Sequence, residues 1–180
     1  MVITGGPCSG KTSLWDLLGR RCPGAVQVPE TATALILSGR TPGNMGIEAF
    51  QRLVFRQQLQ AEQDALRQGG FLLCDRGLAD GLAYFPGLLA SMGISREALL
   101  ERYALILHLA VVRDPEIYAR FAGGNPARTE DHAEALGLDR EVERVYASHG
   151  RYFRLTGSMK VKQARALEIL RDRCPGARDL

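Results

Sequence analysis

The residues from Gly5 to Thr12 form the pattern with the clearest chemical meaning in this sequence. They read Gly-Gly-Pro-Cys-Ser-Gly-Lys-Thr, which fits the spacing GxxxxGK[ST] of a phosphate-binding loop. Glycines let the main chain wrap around phosphate oxygens, the lysine reaches the outer phosphates, and the threonine hydroxyl is a ligand for Mg²⁺. We interpret Cys8 as a small filler, because no evident base lies near it. The expected nucleotide site consists of Gly5, Gly6, Pro7, Cys8, Ser9, Gly10, Lys11, Thr12 and Ser13.

A second candidate group is the carboxylate of Asp75, which directly follows the apolar run Phe71 to Cys74. A strand of this kind is expected beside the strand that leads into the phosphate loop. Asp75 could then hold Mg²⁺ or its water shell together with Thr12. The alternative interpretation is an aspartate that caps the following helix.

A phosphate loop alone indicates only that a nucleotide binds, but other patterns exclude several classes of protein. The guanine-reading pattern Asn-Lys-x-Asp does not occur, since neither Asn44 nor Asn125 precedes a lysine. Asp75 lacks the Asp-x-x-Gly spacing of a GTPase switch, and the Leu-Ser-Gly-Gly-Gln signature of transporters is missing from the sequence. A small phosphotransferase is the class that remains.

Composition adds further expectations about compartment and partners. The 23 basic and 20 acidic residues give a net charge of +3, which is too small to indicate nucleic acid as a partner. We find no charge-free run long enough for a membrane span and no signal-peptide pattern. The four cysteines form no CxxC pair, so we expect free thiols in a reducing cytoplasm. Only three of the basic residues are lysines, namely Lys11, Lys160 and Lys162.

The elements that must position these residues alternate between strand-like and helical patterns, as in a parallel sheet with crossover helices. Apolar runs predict five strands, at residues 1–4, 26–28, 71–74, 104–112 and 152–155. Helical patterns cover residues 13–20, 31–38, 47–68, 114–122, 133–148 and 160–171. The side chains predicted to face inward on the last helix are Val161, Ala164, Leu167 and Leu170. The sequence thus predicts a single domain over residues 1–180, an α/β fold of the three-layer P-loop NTPase type, with a five-stranded parallel sheet and helices on both faces.

Three further segments resemble known kinases. Residues 75–77 (Asp-Arg-Gly), with Asp80 after them, resemble the Asp-Arg-Ser motif of thymidylate kinases and the Glu-Arg-Ser motif of deoxynucleoside kinases, with glycine in place of serine. Residues 28–30 (Val-Pro-Glu) resemble the segment where deoxynucleoside kinases carry a carboxylate base, and residues 114–130 resemble the sequence before and through their lid. The whole chain is most similar to a bacterial family of P-loop AAA-domain ATPase/kinases, related to the ribosylnicotinamide kinase domain of NAD-biosynthesis regulators.

The resemblance implies roles for three arginines and a lid at about residues 122–132. Arg76 would lie where the acceptor and the γ-phosphate meet. Arg120 and Arg128 flank a Gly-Gly-Asn-Pro segment, and a lid closing there would bring their guanidinium groups onto the phosphates. The alternative for Arg128 is a solvated charge paired with a neighbouring acidic residue.

Two carboxylates compete for the role of proton acceptor. Glu30 follows a strand end, where ligands bind in such sheets, and Asp75 occupies the same kind of position. An alternative for Glu30 is an acidic residue favoured in the first turn of a helix. The long helix carries a glutamine cluster that includes Gln51 and Gln58, and in the resembling kinases amides there read bases. A solvated helix face is the more common reason for such a cluster.

The residues and the resemblance together predict a cytoplasmic kinase that uses ATP and Mg²⁺ and transfers the γ-phosphoryl group to a hydroxyl of a small, nucleoside-like acceptor. The alternative is a nucleoside-triphosphate hydrolase, or a nucleotide-binding regulator without an acceptor. The oligomeric state, the identity of the acceptor and the preference for ATP over GTP stay open. The predicted catalytic residues are Lys11, Glu30, Asp75, Arg76, Arg120 and Arg128, and the predicted metal ligands are Thr12 and Asp75.

Overall fold

A computed structural model of the 180-residue chain describes residues 1–122 and 130–173, with side chains described as far as residue 171. Its centre is a sheet of five parallel strands in the order β2-β3-β1-β4-β5. The strands are β1 (Val2–Thr4), β2 (Ala25–Val28), β3 (Phe71–Asp75), β4 (Ile106–Leu109) and β5 (Tyr152–Leu155). The predicted fold class and all five strands are confirmed.

The helices connect these strands as crossovers. The α-helices are α1 (Lys11–Arg21), α2 (Thr31–Leu37), α3 (Pro42–Met45), α4 (Ile47–Leu66), α5 (Arg96–Glu101), α6 (Pro115–Ala122), α7 (His132–Tyr146) and α8 (Met159–Arg173). Two 3₁₀ helices, Leu78–Ala83 and Ala90–Met92, lie between β3 and α5. Among the described helices, none is both long and apolar enough to cross a membrane.

The core follows from the period-two alternation of the strands, because successive side chains point to opposite faces of a sheet. One buried cluster receives Val2, Cys74 and Ile106 and packs them against α4, α5 and α7. The other receives Ile3, Leu73 and Leu107 and packs them against α1 and α8. The result is three layers, with a hydrophobic core on each face of the sheet.

Strand register places the predicted site residues at one edge. Ile3 of β1 lies opposite Asp75 of β3 and opposite Leu107 of β4. Because parallel strands end at the same edge, the loop that follows β1 emerges directly beside Asp75. Ligand sites of open α/β sheets form at this carboxyl edge.

The inward face predicted for α8 is partly wrong. Val161 is 56% exposed and Ala164 is exposed, whereas the buried face runs through Lys162, Ala166, Ile169 and Leu170. The spacing of this face is that of one helix stripe (i, i+4, i+7, i+8). A lysine occupies its first position, so a search for apolar residues alone selects the neighbouring valine.

Candidate active site

The loop from Gly5 to Gly10 has a backbone that requires glycine at both ends. Gly5 has φ +134°, and a Cβ there would lie 2.1 Å from the carbonyl oxygen of Leu109. Gly10 has φ +96°, and a Cβ there would lie 2.6 Å from the sulfur of Met159. Between them Cys8 also adopts a positive φ of 55°, which is uncommon for a residue other than glycine. The loop is therefore a tightly wrapped turn against β4 and α8.

Lys11 begins α1 and lies at the base of this loop. Its side chain is 1% exposed, and its Nζ donates to the carbonyl oxygen of Gly6 at 2.8 Å. The hydroxyl of Ser9 is buried in the same loop without a hydrogen-bond partner among the described residues. An ammonium group, an unsatisfied hydroxyl and the N-terminus of α1 together suit a phosphate ligand.

Asp75 and Thr12 meet beside the loop, as predicted for a metal site. The Thr12 hydroxyl donates to Asp75 Oδ2 at 2.8 Å. Asp75 Oδ1 is buried and has no hydrogen-bond partner within the described part of the chain. Burial and the nearby charge of Glu30 raise the pKa of Asp75, against the opposing charge of Lys11. A cation bound at this oxygen would satisfy it and stabilise the ionised form, so the two residues fit Mg²⁺.

Arg76 lies at the centre of a charged group between the loop and α2. Its Nε donates to Glu30 Oε1 at 2.5 Å, and its Nη1 donates to Asp80 Oδ1 at 3.0 Å and to the Gly5 carbonyl at 3.3 Å. Burial alone would raise the pKa of Glu30, but the charges of Arg76 and Lys11 bring it down to about 2. Glu30 is therefore an ionised carboxylate at every physiological pH.

Asp80 anchors this group to the rest of the fold. Its carboxylate also accepts hydrogen bonds from Thr4 Oγ1 at 2.7 Å, from Tyr146 OH at 2.7 Å and from the main-chain N–H of Gly77 at 2.9 Å. A Cβ on Gly77 would lie 2.8 Å from Tyr146 OH. Tyr146 therefore explains why glycine stands where the resembling kinases carry serine.

A cavity of about 410 Å³ opens beside Glu30 and Arg76. Its walls come from the loop (Pro7), from α2 and α3, from α4, from the 3₁₀ helix after β3, and from Glu130. Its apolar lining includes Ile36, Ile47, Phe50, Val54, Phe55 and Leu88. The cavity thus has the size and mixed lining of a small-molecule pocket, and it adjoins the phosphate loop.

The two buried glutamines of α4 behave differently in this cavity. Gln58 accepts from Thr31 Oγ1 at 2.7 Å and donates to Glu62 Oε1 at 3.2 Å and to the Arg76 carbonyl at 3.3 Å. Gln51 is 5% exposed and lines the cavity, and its side-chain amide makes no hydrogen bond to another described residue. The amide of Gln58 is occupied in positioning its neighbours, and that of Gln51 is available to a ligand. A solvated face is therefore not the reason for these two glutamines.

The remaining predicted residues are not brought to this cavity by the described structure. Arg120 lies on α6, is exposed and does not line the cavity. Arg128 and most of the predicted lid segment fall in 123–129, outside the described residues. At the described end of that segment Glu130 lines the cavity, and its carbonyl accepts from Tyr118 OH at 3.0 Å.

Sequence reasoning missed two side chains that contact the phosphate loop from the C-terminal half of the chain. Asp139 of α7 accepts from the main-chain N–H of Gly6 at 3.0 Å. Lys162 of α8 donates to the carbonyl of Ser9 at 3.0 Å. The scarcity of lysine was a signal for Lys162, whereas a single aspartate in an amphipathic helix gives no signal of this kind.

Comparison with known proteins agrees with this fold. The solved structure of deoxyadenosine kinase from M. mycoides with bound dATP superposes with a TM-score of 0.68 at 11% identity, covering 94% of this chain and 97% of that chain. The same enzyme with the products dCMP and a flexible dCDP gives a TM-score of 0.67 at 10% identity, with 95% and 98% covered. At this identity the likeness is one of fold, and no curated protein matches the sequence significantly. The AAA domain family AAA_28 matches residues 1–163, and the chain therefore belongs to this P-loop family.

Proposed function

We propose that this chain is a kinase that transfers the γ-phosphoryl group of ATP to a hydroxyl of a small, nucleoside-like acceptor. One observation carries the proposal: a cavity of about 410 Å³ adjoins the phosphate loop, and Glu30 and Arg76 lie in the wall that the two share. A hydrolase needs room for a water molecule only, whereas this cavity has the volume of a small organic ligand.

The nucleotide half of the site is the phosphate loop with Lys11. Main-chain N–H groups of the loop and the Lys11 ammonium would hold the phosphates, and Thr12 and Asp75 would hold Mg²⁺. Mg²⁺, when bound, neutralises charge on the phosphates. The unsatisfied oxygen of Asp75 supports this assignment, because a buried carboxylate oxygen without a donor is costly unless a cation faces it.

The acceptor half assigns the two competing carboxylates to different tasks. Glu30 lines the cavity and Asp75 does not, so Glu30 is the group that an acceptor hydroxyl can reach. Glu30 is ionised before the reaction, so it can accept a hydrogen bond from that hydroxyl, orient it and take up its proton transiently during transfer. Asp75 is left to the metal. Arg76 holds Glu30 in place and faces the phosphates from the side of the acceptor.

The charges lining the cavity favour an acceptor without a phosphate group of its own. The charged side chains of its described lining are Glu30, Asp80, Glu130 and Arg76, and Arg76 is bound to two of the three carboxylates. A nucleoside presents only hydroxyls and a base, so the Gln51 amide can hydrogen-bond it and the apolar walls can pack against the base. The nucleotides named for the deoxyadenosine kinase structures support a nucleoside-like acceptor.

Arg120 and Arg128 stay predicted phosphate ligands. Arg120 is exposed on α6, where its guanidinium group is open to solvent and to an incoming ligand. Their substitution tests that role separately from the role of Arg76.

The test is the release of ADP from ATP and Mg²⁺, measured with and without a panel of nucleosides. The proposal predicts slow release alone and release stimulated at least about 100-fold by one or more nucleosides, because positioning of the acceptor carries most of the catalysis. Turnover that proceeds at full rate without any nucleoside would instead establish the hydrolase.

A further inference from the structure

Two side chains from α7 and α8 reach across the fold to main-chain groups of the phosphate loop. Asp139 Oδ1 accepts from the N–H of Gly6 at 3.0 Å, and Lys162 Nζ donates to the carbonyls of Ser9 at 3.0 Å and Ala110 at 2.7 Å. Both side chains are buried, with Asp139 2% and Lys162 5% exposed. The loop is thus anchored to α7 and α8 by charged side chains that lie more than 130 positions away in sequence.

Each of these contacts fixes the direction of a whole peptide group. A trans peptide is planar, and its C=O and N–H point in opposite directions. Because the Ser9 carbonyl points to the buried Lys162 ammonium, the N–H of Gly10 in the same peptide points the other way, away from Lys162. The Gly5–Gly6 peptide is held at both ends, by Arg76 on its carbonyl and by Asp139 on its N–H.

Asp139 is itself held by several groups of the fold. Asp139 accepts from His108 Nε2 at 2.9 Å, from Arg154 Nη2 at 2.9 Å and from the N–H of Val111 at 3.2 Å. Gly6 has no room for a side chain, since a Cβ would lie 2.8 Å from the carbonyl of Ala135 on α7. The loop therefore packs directly against α7, and the carboxylate cannot shift without moving β4, β5 and α7 together.

Burying the Lys162 ammonium has a cost that packing alone does not justify. An unbranched apolar side chain of similar length would fill the same space without desolvating a charge. The ammonium adds two charge-assisted hydrogen bonds, one to the carbonyl of Ser9 in the loop and one to the carbonyl of Ala110, which directly follows β4.

We propose that Lys162 is a positioning residue of the nucleotide site, which holds the Ser9–Gly10 peptide so that its N–H faces the phosphates. Asp139 supports the same loop by binding the N–H of the Gly5–Gly6 peptide. The inference rests on the nucleotide-binding half of the proposed function and needs no acceptor. The ligand is the diphosphate part of a nucleotide, and Lys162 acts on it through the main chain.

The experiment compares ADP binding by the wild type, Lys162→Met and Lys160→Met, measured by titration calorimetry at a temperature well below unfolding. Lys160 is exposed on the same helix and provides a matched control for the loss of one positive charge. We expect Lys162→Met to weaken ADP binding roughly 10- to 100-fold, because the charged hydrogen bonds that preorganise the loop are lost. We expect Lys160→Met to change the affinity for ADP less than about threefold.

A merely structural lysine would give a different pattern, in which Lys162→Met lowers the unfolding temperature of the nucleotide-free protein but the folded protein binds ADP as the wild type does. That result would overturn the inference. If Lys162→Met does not fold, Lys162→Gln keeps an uncharged NH₂ donor group near the two carbonyls and is expected to bind ADP with intermediate affinity. Wild-type affinity in this variant would also overturn the inference. Failure of the wild type to bind ADP would instead refute the proposed function.

Discussion

The phosphate loop is one continuous segment, Gly5–Thr12, whereas the neighbouring cavity takes its walls from α2, α3, α4, the 3₁₀ helix after β3 and Glu130. In the proposed function the loop binds phosphates through main-chain N–H groups that any residue but proline carries, so its few essential side chains serve geometry and charge. The cavity would bind the acceptor through side chains that differ from segment to segment. The proposal thus assigns phosphate binding to the loop and selectivity for the acceptor to the cavity.

The two regions also differ in how their charges are balanced. In the loop region Asp75 keeps an unsatisfied buried oxygen, and Ser9 keeps an unsatisfied hydroxyl, among the described residues. In the cavity Glu30, Arg76 and Asp80 satisfy one another through ion pairs. This difference supports the proposal of a charged ligand and a metal at the loop and of a neutral ligand in the cavity.

The largest effect is expected from Lys11→Met in the loop. Removing the buried ammonium should lower kcat/KM for ATP about 1,000-fold or more, since a preorganised cation facing the phosphates is lost. Kinetics at varied ATP concentration measure this, with Lys160→Met as the control of equal charge change. A Lys11→Met variant with near-normal kcat/KM would show that phosphate binding lies elsewhere.

The next effect separates the cavity from the loop. Glu30→Gln keeps the shape of the side chain but removes the proton acceptor, so kcat should fall about 100- to 10,000-fold while the affinity for ADP stays within a few-fold of the wild type. Glu48→Gln, at an exposed position on α4, is the control. Equal losses in kcat and in ADP affinity would mean that the two regions do not act separately.

A third prediction concerns the charge of the acceptor. A nucleoside should be phosphorylated with kcat/KM at least about 100-fold higher than its 5′-monophosphate. The phosphate of the monophosphate would face the carboxylates of the cavity, and the one cation of the described lining, Arg76, is already paired with two of them. Competing the two acceptors in one reaction and separating the products measures the ratio. Comparable use of both would contradict the charge contrast between loop and cavity.

The contrast also explains what could be predicted from sequence. The loop, its lysine and threonine, and Asp75 at the end of β3 were predicted because local spacing determines them. Glu30 and Arg76 were predicted through resemblance, and the structure brings them together at 2.5 Å. Gln51 was named through the same resemblance, with a solvated helix face as the alternative, and its burial decides between the two. Asp139 and Lys162 depend on how α7 and α8 pack, and helix periodicity selects apolar positions without revealing a buried polar one.

A smaller effect is expected from the amide of the cavity. Gln51→Leu keeps the volume but removes the hydrogen-bonding group, so KM for the preferred nucleoside should rise roughly tenfold while KM for ATP is unchanged. Gln63→Leu, at an exposed position of the same helix, is the control. An unchanged KM for the nucleoside would show that Gln51 does not contact the base and that another part of the cavity recognises it.

The smallest effect is one of stability toward acid. Because the pKa of Glu30 is lowered from 4.5 to about 2 in the folded chain, its stabilisation is complete above pH 4.5 and is lost as the pH falls toward 2. Asp75, whose pKa is raised, contributes with the opposite sign. The advantage of the wild type over Glu30→Gln in free energy of unfolding should shrink by about 1–2 kcal/mol over this range, as measured by urea denaturation. A constant difference would mean that the Glu30–Arg76 pair does not form.

The central claim is that a hydroxyl of a nucleoside-like molecule receives the phosphoryl group beside Glu30. Mass spectrometry of a reaction containing ATP, Mg²⁺ and deoxyadenosine or another nucleoside tests it most directly. We expect the wild type to form a nucleoside monophosphate in equal amount to ADP, and Glu30→Gln to form almost none. Inorganic phosphate in equal amount to ADP, with every nucleoside left unchanged, would contradict it.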